Sequence, residues 1–454
     1  MITITDNYTK SKGQCGIDDD KWEVLKSISH CSIEQLSKEN RNLLVFPHCI
    51  ENNDKEFSSK SIIEIVGDNI STRNLVGFIG ITDKKRGKSV DLTIRSRFQN
   101  NAPEDYFLHY MLQKVFKVNI LDLQHSGSNE DVFDFALYLF PHYFKRAMKQ
   151  GLFKQYCNRE YNNANVRGVI DVSRHIRTNI PFNGRIAYRT REYQYDNPLM
   201  QLVRHTIEYI RTHKWAGNIL KCDRDMCDYV RTIYDITPSY KANDRQRVIS
   251  QNIKPVTHPF YTEYRMLQQL CLHILRRNGV KYGSSSDKIY GILFDCAWLW
   301  EEYLATIMPE GFTHAVRAKK NGYKFFNNDN SNQRYPDFYS REKQVVLDAK
   351  YKRIDEYGIQ RCDLFQLIAY MHTLPAEYGA LIYPLSSDKV SESTPKTLAG
   401  KGGKIDTIGI MIPKDAENYN EFFNKMEKNR LILTIHNEGK EDSYHKLTLK
   451  DVTN

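Results

Sequence analysis

Asp337, Asp348 and Lys350 are spaced so that a β-pattern gathers them at one point. The run Gln344-Val345-Val346-Leu347 reads as a strand, and it ends in Asp348-Ala349-Lys350. Alternate residues of a strand share a face, so Asp348 and Lys350 point one way and Ala349 the other. Asp337, in Tyr335-Pro336-Asp337-Phe338, lies eleven residues before Asp348, on a preceding short strand that can reach the same spot. Two carboxylates and one ammonium can hold a hard divalent cation, Mg²⁺. They can also acidify its water and offset charge developing on a phosphate under attack. A lone Asp-x-Lys triplet is usually a surface ion pair, so the surrounding elements decide its meaning.

Those elements favour a site. The strand is apolar before its charges, which puts Asp348 and Lys350 at the end of a buried element. A helix follows in Asp363-Leu-Phe-Gln366-Leu-Ile-Ala-Tyr370-Met-His. Gln366 and Tyr370 are four apart and share its face, so Gln366 is expected to flank the carboxylates. A mostly apolar helix precedes the strands in Phe294-Asp-Cys-Ala-Trp298-Leu-Trp300-Glu301-Glu302-Tyr303-Leu304. Its paired carboxylates allow Glu301 to face the metal as a third ligand, with Glu302 toward water. An ordinary polar stripe is the alternative.

The 454 residues suffice for two or three domains, with 41% hydrophobic and 26% charged residues, as in globular proteins. No apolar run approaches the ~20 residues of a spanning helix. The first residues, Met-Ile-Thr-Ile-Thr-Asp-Asn, lack the basic flank and apolar core of a signal peptide. With nine scattered cysteines, this leads to the expectation of a cytoplasmic protein with reduced thiols and no membrane partner. Cys222 and Cys227 have no second pair at zinc-ligand spacing and read as helix residues. The net charge of +10 favours a polyanionic partner. From His142 to Arg191, eleven Lys/Arg stand against only Glu160 and Asp171, with Tyr143, Phe144, Phe153, Tyr156, Tyr161 and Tyr188 interleaved. Cations follow phosphates and rings stack on bases, so DNA is the expected partner; a solvated helix face with core aromatics is the alternative.

The expected fold class is mixed α/β in three sections. Residues 1–100 form a β-rich section, with strands near 62–66, 75–81 and 90–98. A charged hairpin turn, Lys84-Lys85-Arg86-Gly87-Lys88, lies between the last two. Residues 101–283 are mainly helical, with helices near 106–147, 197–214, 217–234 and 259–278 and a break of strands and loops over 151–195. Pro259 suits the first turn of the last of these helices. Residues 284–454 hold the catalytic elements and later strands at 378–383 and 406–412, separated by a Ser/Lys/Gly-rich exposed loop. There is no Gly-x-x-x-x-Gly-Lys-Ser/Thr phosphate loop, so the chain is not expected to bind GTP.

The order helix with Glu, Pro-Asp strand, Asp-x-Lys strand and Gln-x-x-x-Tyr helix resembles the PD-(D/E)xK nuclease superfamily. Over about residues 60–440 the chain is similar to the McrC family, the nuclease subunits of McrBC-type modification-dependent restriction systems. Leu299-Trp300-Glu301-Glu302-Tyr303-Leu304 looks like that family's Leu-Phe-Glu-x-Tyr-Val segment, and Asp348-Ala349-Lys350-Tyr351-Lys352 like its Asp-x-Lys-Tyr-Lys strand. Arg167-Gly168-Val169-Ile170-Asp171 resembles its Arg-Gly-x-Ile-Asp signature. Asp196-Asn197-Pro198-Leu199-Met200 resembles its Asp-x-Pro-x-Asn turn, with Met200 where Asn is usual. The resemblance implies a restriction-endonuclease-like α/β/α core and cleavage of methylcytosine-type DNA. It also implies an McrB-like AAA+ partner ring that binds and hydrolyses GTP and is engaged by the N-terminal β section, with residues 84–88 as the docking tip. A stand-alone repair or defence nuclease and a non-catalytic nucleic-acid scaffold are the competing readings.

Overall fold

A computed structural model describes residues 2–40, 43–47, 58–83, 87–99, 105–116, 131–212, 217–221, 223–281, 289–315, 322–326, 333–385, 394–400, 402–438 and 442–451. The chain divides into two compact units, Met1–Leu121 with Ser286–Asn454, and Asp122–Ser285. No helix among the described residues is long and apolar enough to cross a membrane.

The first unit contains two larger sheets. One has five strands in the order Ile2–Thr5, Lys88–Arg95, Leu75–Asp83, Ile289–Asp295 and Leu43–Phe46. Its core gathers Ile4, Val45, Ile79, Leu92 and Leu293 with Trp22 and Leu25 of the helix Asp19–Lys26. Sequence alone assigns 289–295 to the third section and begins a helix at Phe294. In the structure those residues form a strand, antiparallel to Leu75–Asp83 and parallel to Leu43–Phe46. Asp295 ends that strand and caps the helix Cys296–Ile307, accepting from the N–H groups of Ala297 (2.7 Å) and Trp298 (3.2 Å). An Asp side chain can satisfy the open N–H groups of a first helical turn, which Phe cannot. Glycine is required where these strands close up: a Cβ on Gly77, at φ +129°, would lie 2.2 Å from the Ile292 carbonyl oxygen.

The second sheet carries the Asp-x-Lys strand. Its order is Thr313–His314, Phe338–Ser340, Val345–Ala349, Tyr378–Leu385, Lys404–Met411 and Lys396–Thr397. Val345–Ala349 is antiparallel to Phe338–Ser340 and parallel to Tyr378–Leu385, all eight residues of which are buried. The helix Arg361–Thr373 packs Leu367, Tyr370 and Met371 against Val346, Leu381 and Tyr383. Val346 and Asp348 share a strand face, so Asp348 is directed to the side that this helix covers. The helix Cys296–Ile307 is tied to the sheet through Trp300, whose Nε1 donates to the Ile382 carbonyl at 3.2 Å. A closing hairpin, Asn429–Glu438 with Asp442–Asp451, completes the unit.

The second unit is mainly helical. Its helices are Asp131–Lys149, Val172–Asn179, Pro198–Thr212, Arg224–Ile236, Arg245–Gln251 and Glu263–Lys281, with a three-stranded sheet of Gln155–Asn163, Ile186–Gln194 and Val169–Ile170. The last long helix starts at Glu263, after a bend, so Pro259 precedes it instead of lying in its first turn. Cys227 lies in the helix Arg224–Ile236, while Cys222 is outside the described residues. The Arg-Gly-Val-Ile-Asp motif works locally. A Cβ on Gly168 would meet the Arg189 carbonyl oxygen at 2.1 Å. Asp171 caps the next helix through the Arg174 N–H (3.1 Å) and pairs with Arg189 at 2.6 Å. In the later turn, Asn197 caps the helix at Pro198 by accepting from Leu199 and Met200, both at 3.1 Å, and Met200 is buried.

Candidate active site

Asp348 ends the buried part of its strand and is 1% exposed. Lys350 Nζ lies 2.5 Å from Asp348 Oδ2 and donates to Gln366 Oε1 at 3.1 Å. The Gln366 amide in turn donates to the Tyr370 hydroxyl at 3.0 Å, so the helical i,i+4 pair orients the amide oxygen toward the ammonium. Asp337 stands one residue before the strand Phe338–Ser340. Its Oδ2 accepts at 2.6 Å from the N–H of Ala349, the residue after Asp348, and the two carboxyls are close enough for Asp348 to shift the titration of Asp337. Asp337, Asp348, Lys350 and Gln366 are therefore together.

Glu301 is held differently. His314 Nε2 lies 3.7 Å from Glu301 Oε1 and 3.8 Å from Glu302 Oε1, while His314 Nδ1 donates to the Asp337 carbonyl at 2.9 Å. The ring also stacks on Phe338, with centroids 5.0 Å apart. Both glutamates thus reach Asp337 through a histidine that sequence reading passes over. A single Thr-His pair on a two-residue edge strand carries no periodic signal. Lys352 continues the alternation on the far side of Lys350 and donates to both oxygens of Asp363, at 2.9 and 2.8 Å.

The electrostatics follow from burial. Desolvation raises the pKa of Asp337, and the neighbouring Asp348 raises it further, against Lys350. Burial likewise raises Asp348, with Lys350 opposing. For Lys350, burial disfavours the charge, but Asp348 and Asp337 outweigh it and hold the ammonium above its ordinary range. Two carboxyls and one ammonium leave an excess negative charge in a site of low polarity, which a proton or a cation relieves. Among the described residues no group of three or more His, Cys, Asp or Glu side chains gathers to hold a metal. The donor set is the two aspartates, which suits a hard cation that keeps water or phosphate oxygens as its other ligands.

Residues 70–384 match the family described as McrBC 5-methylcytosine restriction system component. The chain belongs to this family. Two structures are similar to it. The first is a refined half-complex from a tetradecameric assembly of Thermococcus gammatolerans McrB AAA+ hexamers with bound McrC. It is 18% identical, covers 94% of this chain and 99% of that chain, and has a TM-score of 0.49. The second is the Thermococcus gammatolerans McrBC complex, at 17% identity, 67% and 86% coverage and a TM-score of 0.32. No curated protein matches the chain. The McrBC family match spans the N-terminal hairpin, the helical unit and the Asp-x-Lys strand, so all three belong to one family pattern.

Proposed function

We propose that this chain is the Mg²⁺-dependent DNA endonuclease subunit of an McrBC-like restriction system. It would cut methylcytosine-type DNA together with a GTP-hydrolysing AAA+ ring. The observation that carries this reading is the convergence of Asp337, Asp348 and Lys350 at the end of one buried strand, with Lys350 oriented by Gln366. A scaffold has no need to set a second carboxyl against the buried Asp348. Membership in a restriction-system component family supports the substrate class, and the missing phosphate loop supports a separate GTP-binding partner.

Asp337 and Asp348 would hold the metal, which when bound supplies a more acidic water and a positive charge beside the scissile phosphate. Lys350 places an ammonium at the same point, where it would donate to an attacking water or to a phosphate oxygen. Gln366 accepts a second hydrogen bond from that ammonium and so fixes its direction beside Asp348. The Ala349 N–H fixes the Asp337 carboxylate, and His314 fixes its backbone. Glu301, beside His314, would help hold that ring and through it the Asp337 backbone at the site.

The test is cleavage of methylated plasmid by the purified chain with an AAA+ partner, GTP and Mg²⁺. Wild type should cut and Asp348→Ala should not, while partner binding is retained. Equal cutting by Asp348→Ala would remove the assignment.

A further inference from the structure

In the helical unit, the strands Gln155–Asn163 and Ile186–Gln194 turn one face to solvent. Their register sets Tyr156 opposite Tyr193, Asn158 opposite Arg191 and Glu160 opposite Arg189. The two-residue period continues that face to Lys154 and Tyr195. Tyr156 is 58% exposed, Tyr193 50% and Tyr195 37%, so these rings are not core. The Tyr156 and Tyr193 rings lie 4.9 Å apart. Arg191 sits over Tyr156 at 4.9 Å, and Lys154 lies 4.2 Å from the Tyr195 ring and 5.7 Å from Tyr193. Two cations thus flank the adjacent Tyr156 and Tyr193 rings, and one of them also meets Tyr195. A groove of about 750 Å³ runs beside it, lined in part by Lys154, Tyr156, Tyr193, Lys254 and His258.

Exposed rings offer flat apolar surface to stack on, and the cations beside them suit a polyanion that carries flat groups. The spacing discriminates further. Successive rungs on one strand face are ~6.4–6.8 Å apart. That is about twice the ~3.4 Å between stacked nucleotides of a duplex strand. Tyr156 and Tyr193 share one rung and Tyr195 stands on the next, so only an extended, unstacked strand can lay one base on each of the two rungs.

We propose that this face binds a single strand of nucleic acid. One base would stack on the Tyr156–Tyr193 pair and the next on Tyr195, and phosphates would lie against Lys154, Arg191 and Lys254. This inference needs neither metal nor partner, so it stands or falls apart from the nuclease reading.

The experiment is fluorescence anisotropy on the full chain without Mg²⁺, using labelled oligo-dT, oligo-rU and a duplex of equal length. Tyr156→Ala with Tyr193→Ala should weaken single-strand binding by about tenfold or more. It should change duplex binding by less than about twofold, because stacking on these rings requires an unstacked base. Tyr→Phe at both positions should keep the affinity, since the ring is what binds. Arg191→Gln should flatten the salt dependence of single-strand binding by about 0.7 in log–log slope. Binding to either oligo-dT or oligo-rU supports the inference, and the tighter of the two names the occupant. An unchanged affinity in the folded Tyr→Ala pair overturns it, as does an equal loss on duplex. If that pair does not fold, Arg191→Gln with Lys254→Gln carries the test, and an unchanged slope is the overturning result.

Discussion

The guanidinium of Arg97 lies over the ring of Tyr351, 4.6 Å from Cζ to the ring centroid, and its Nη2 donates to the Tyr351 carbonyl at 3.1 Å. Tyr351 directly follows Lys350. Its buried hydroxyl meets Ser96 Oγ at 2.6 Å, and Arg353 Nη2 returns a bond to the Arg97 carbonyl at 3.0 Å. Arg97 Nε is itself 3.2 Å from the fully buried Asp6. The end of the Asp-x-Lys strand is therefore clasped by the segment that leaves the N-terminal hairpin.

Arg97→Ala should loosen this clasp. Removing one partner of a buried ion pair costs about 3–5 kcal/mol when the other stays charged. Asp6 can take up a proton, so the loss here is expected nearer about 2 kcal/mol. Single-turnover cleavage should slow while the Mg²⁺ concentration for half-maximal rate is unchanged, because the carboxylates stay in place. Arg97→Lys keeps a charge but loses the fork, and should fall between wild type and Ala. A wild-type cleavage rate in a destabilised Arg97→Ala protein would limit the clasp to a structural role.

Asp6 yields a pH prediction. Burial raises its pKa to about 7, against Arg97, with Asp105 raising and Arg353 lowering it further. Its pKa in the folded chain is above the unfolded value, so its contribution is fully present below about pH 4 and is lost as pH rises toward 7. Buried His109 and His205, both lowered to about 4, contribute with the opposite sign, so wild-type stability alone sums competing groups. Comparison with Asp6→Asn cancels them. The variant should gain on wild type by up to about 4 kcal/mol between pH 4 and pH 8, read from urea midpoints. A constant difference across that range would rule out titration of Asp6.

The metal can be tested without activity. Mg²⁺ that binds only the folded chain stabilises it by about 2.7 kcal/mol at a hundredfold excess over Kd. Wild type should therefore melt several degrees higher with saturating Mg²⁺, and Asp348→Asn should not respond. In chelator, Asp337→Asn should be at least as stable as wild type, because it removes one of two neighbouring carboxyls that disfavour each other's charge. Equal Mg²⁺ shifts in wild type and both Asn variants would place the cation elsewhere.

Gln366→Ala should separate positioning from metal binding. It removes the acceptor that holds Lys350 at 3.1 Å and leaves Asp337 and Asp348 untouched. The Mg²⁺-induced melting shift should persist while cleavage slows by about tenfold, the scale on which displaced catalytic groups act. Loss of the melting shift would instead make Gln366 part of the metal site.

What sequence shows here, and what it does not, follows the range of the interactions. Asp348 and Lys350 are legible because a strand alternates every two residues, and Gln366 because a helix returns every four. Asp337 is nearly so, standing one residue outside its strand. Glu301 is not, since its place depends on His314, from a different element. The same holds for Ile289–Asp295, whose partners lie more than two hundred residues earlier. An apolar run announces burial but not which sheet it joins. Arg97 gives no signal because its meaning lies in Tyr351, distant in the chain.

The charged turn remains. Lys84, Lys85 and Arg86 lie outside the described residues, while Lys88 pairs with Asp20 on the surface. An exposed pair of this kind contributes little stability, so Lys88 need not be changed in the decisive variant. The strands below the turn are core-packed: Ile79, Ile81, Val90 and Leu92 are all buried. The second strand runs from the turn to Arg95, two residues before Arg97. A tip that engages an acidic surface of a GTPase ring would thus connect through a rigid hairpin to the clasp on Tyr351. Replacing Lys84, Lys85 and Arg86 by Ser should lower the partner's stimulated GTP hydrolysis several-fold, as expected when steering cations are lost. The chain should keep its melting temperature and its Mg²⁺ shift. Unchanged stimulation and unchanged ring affinity would assign docking to another part of residues 1–100.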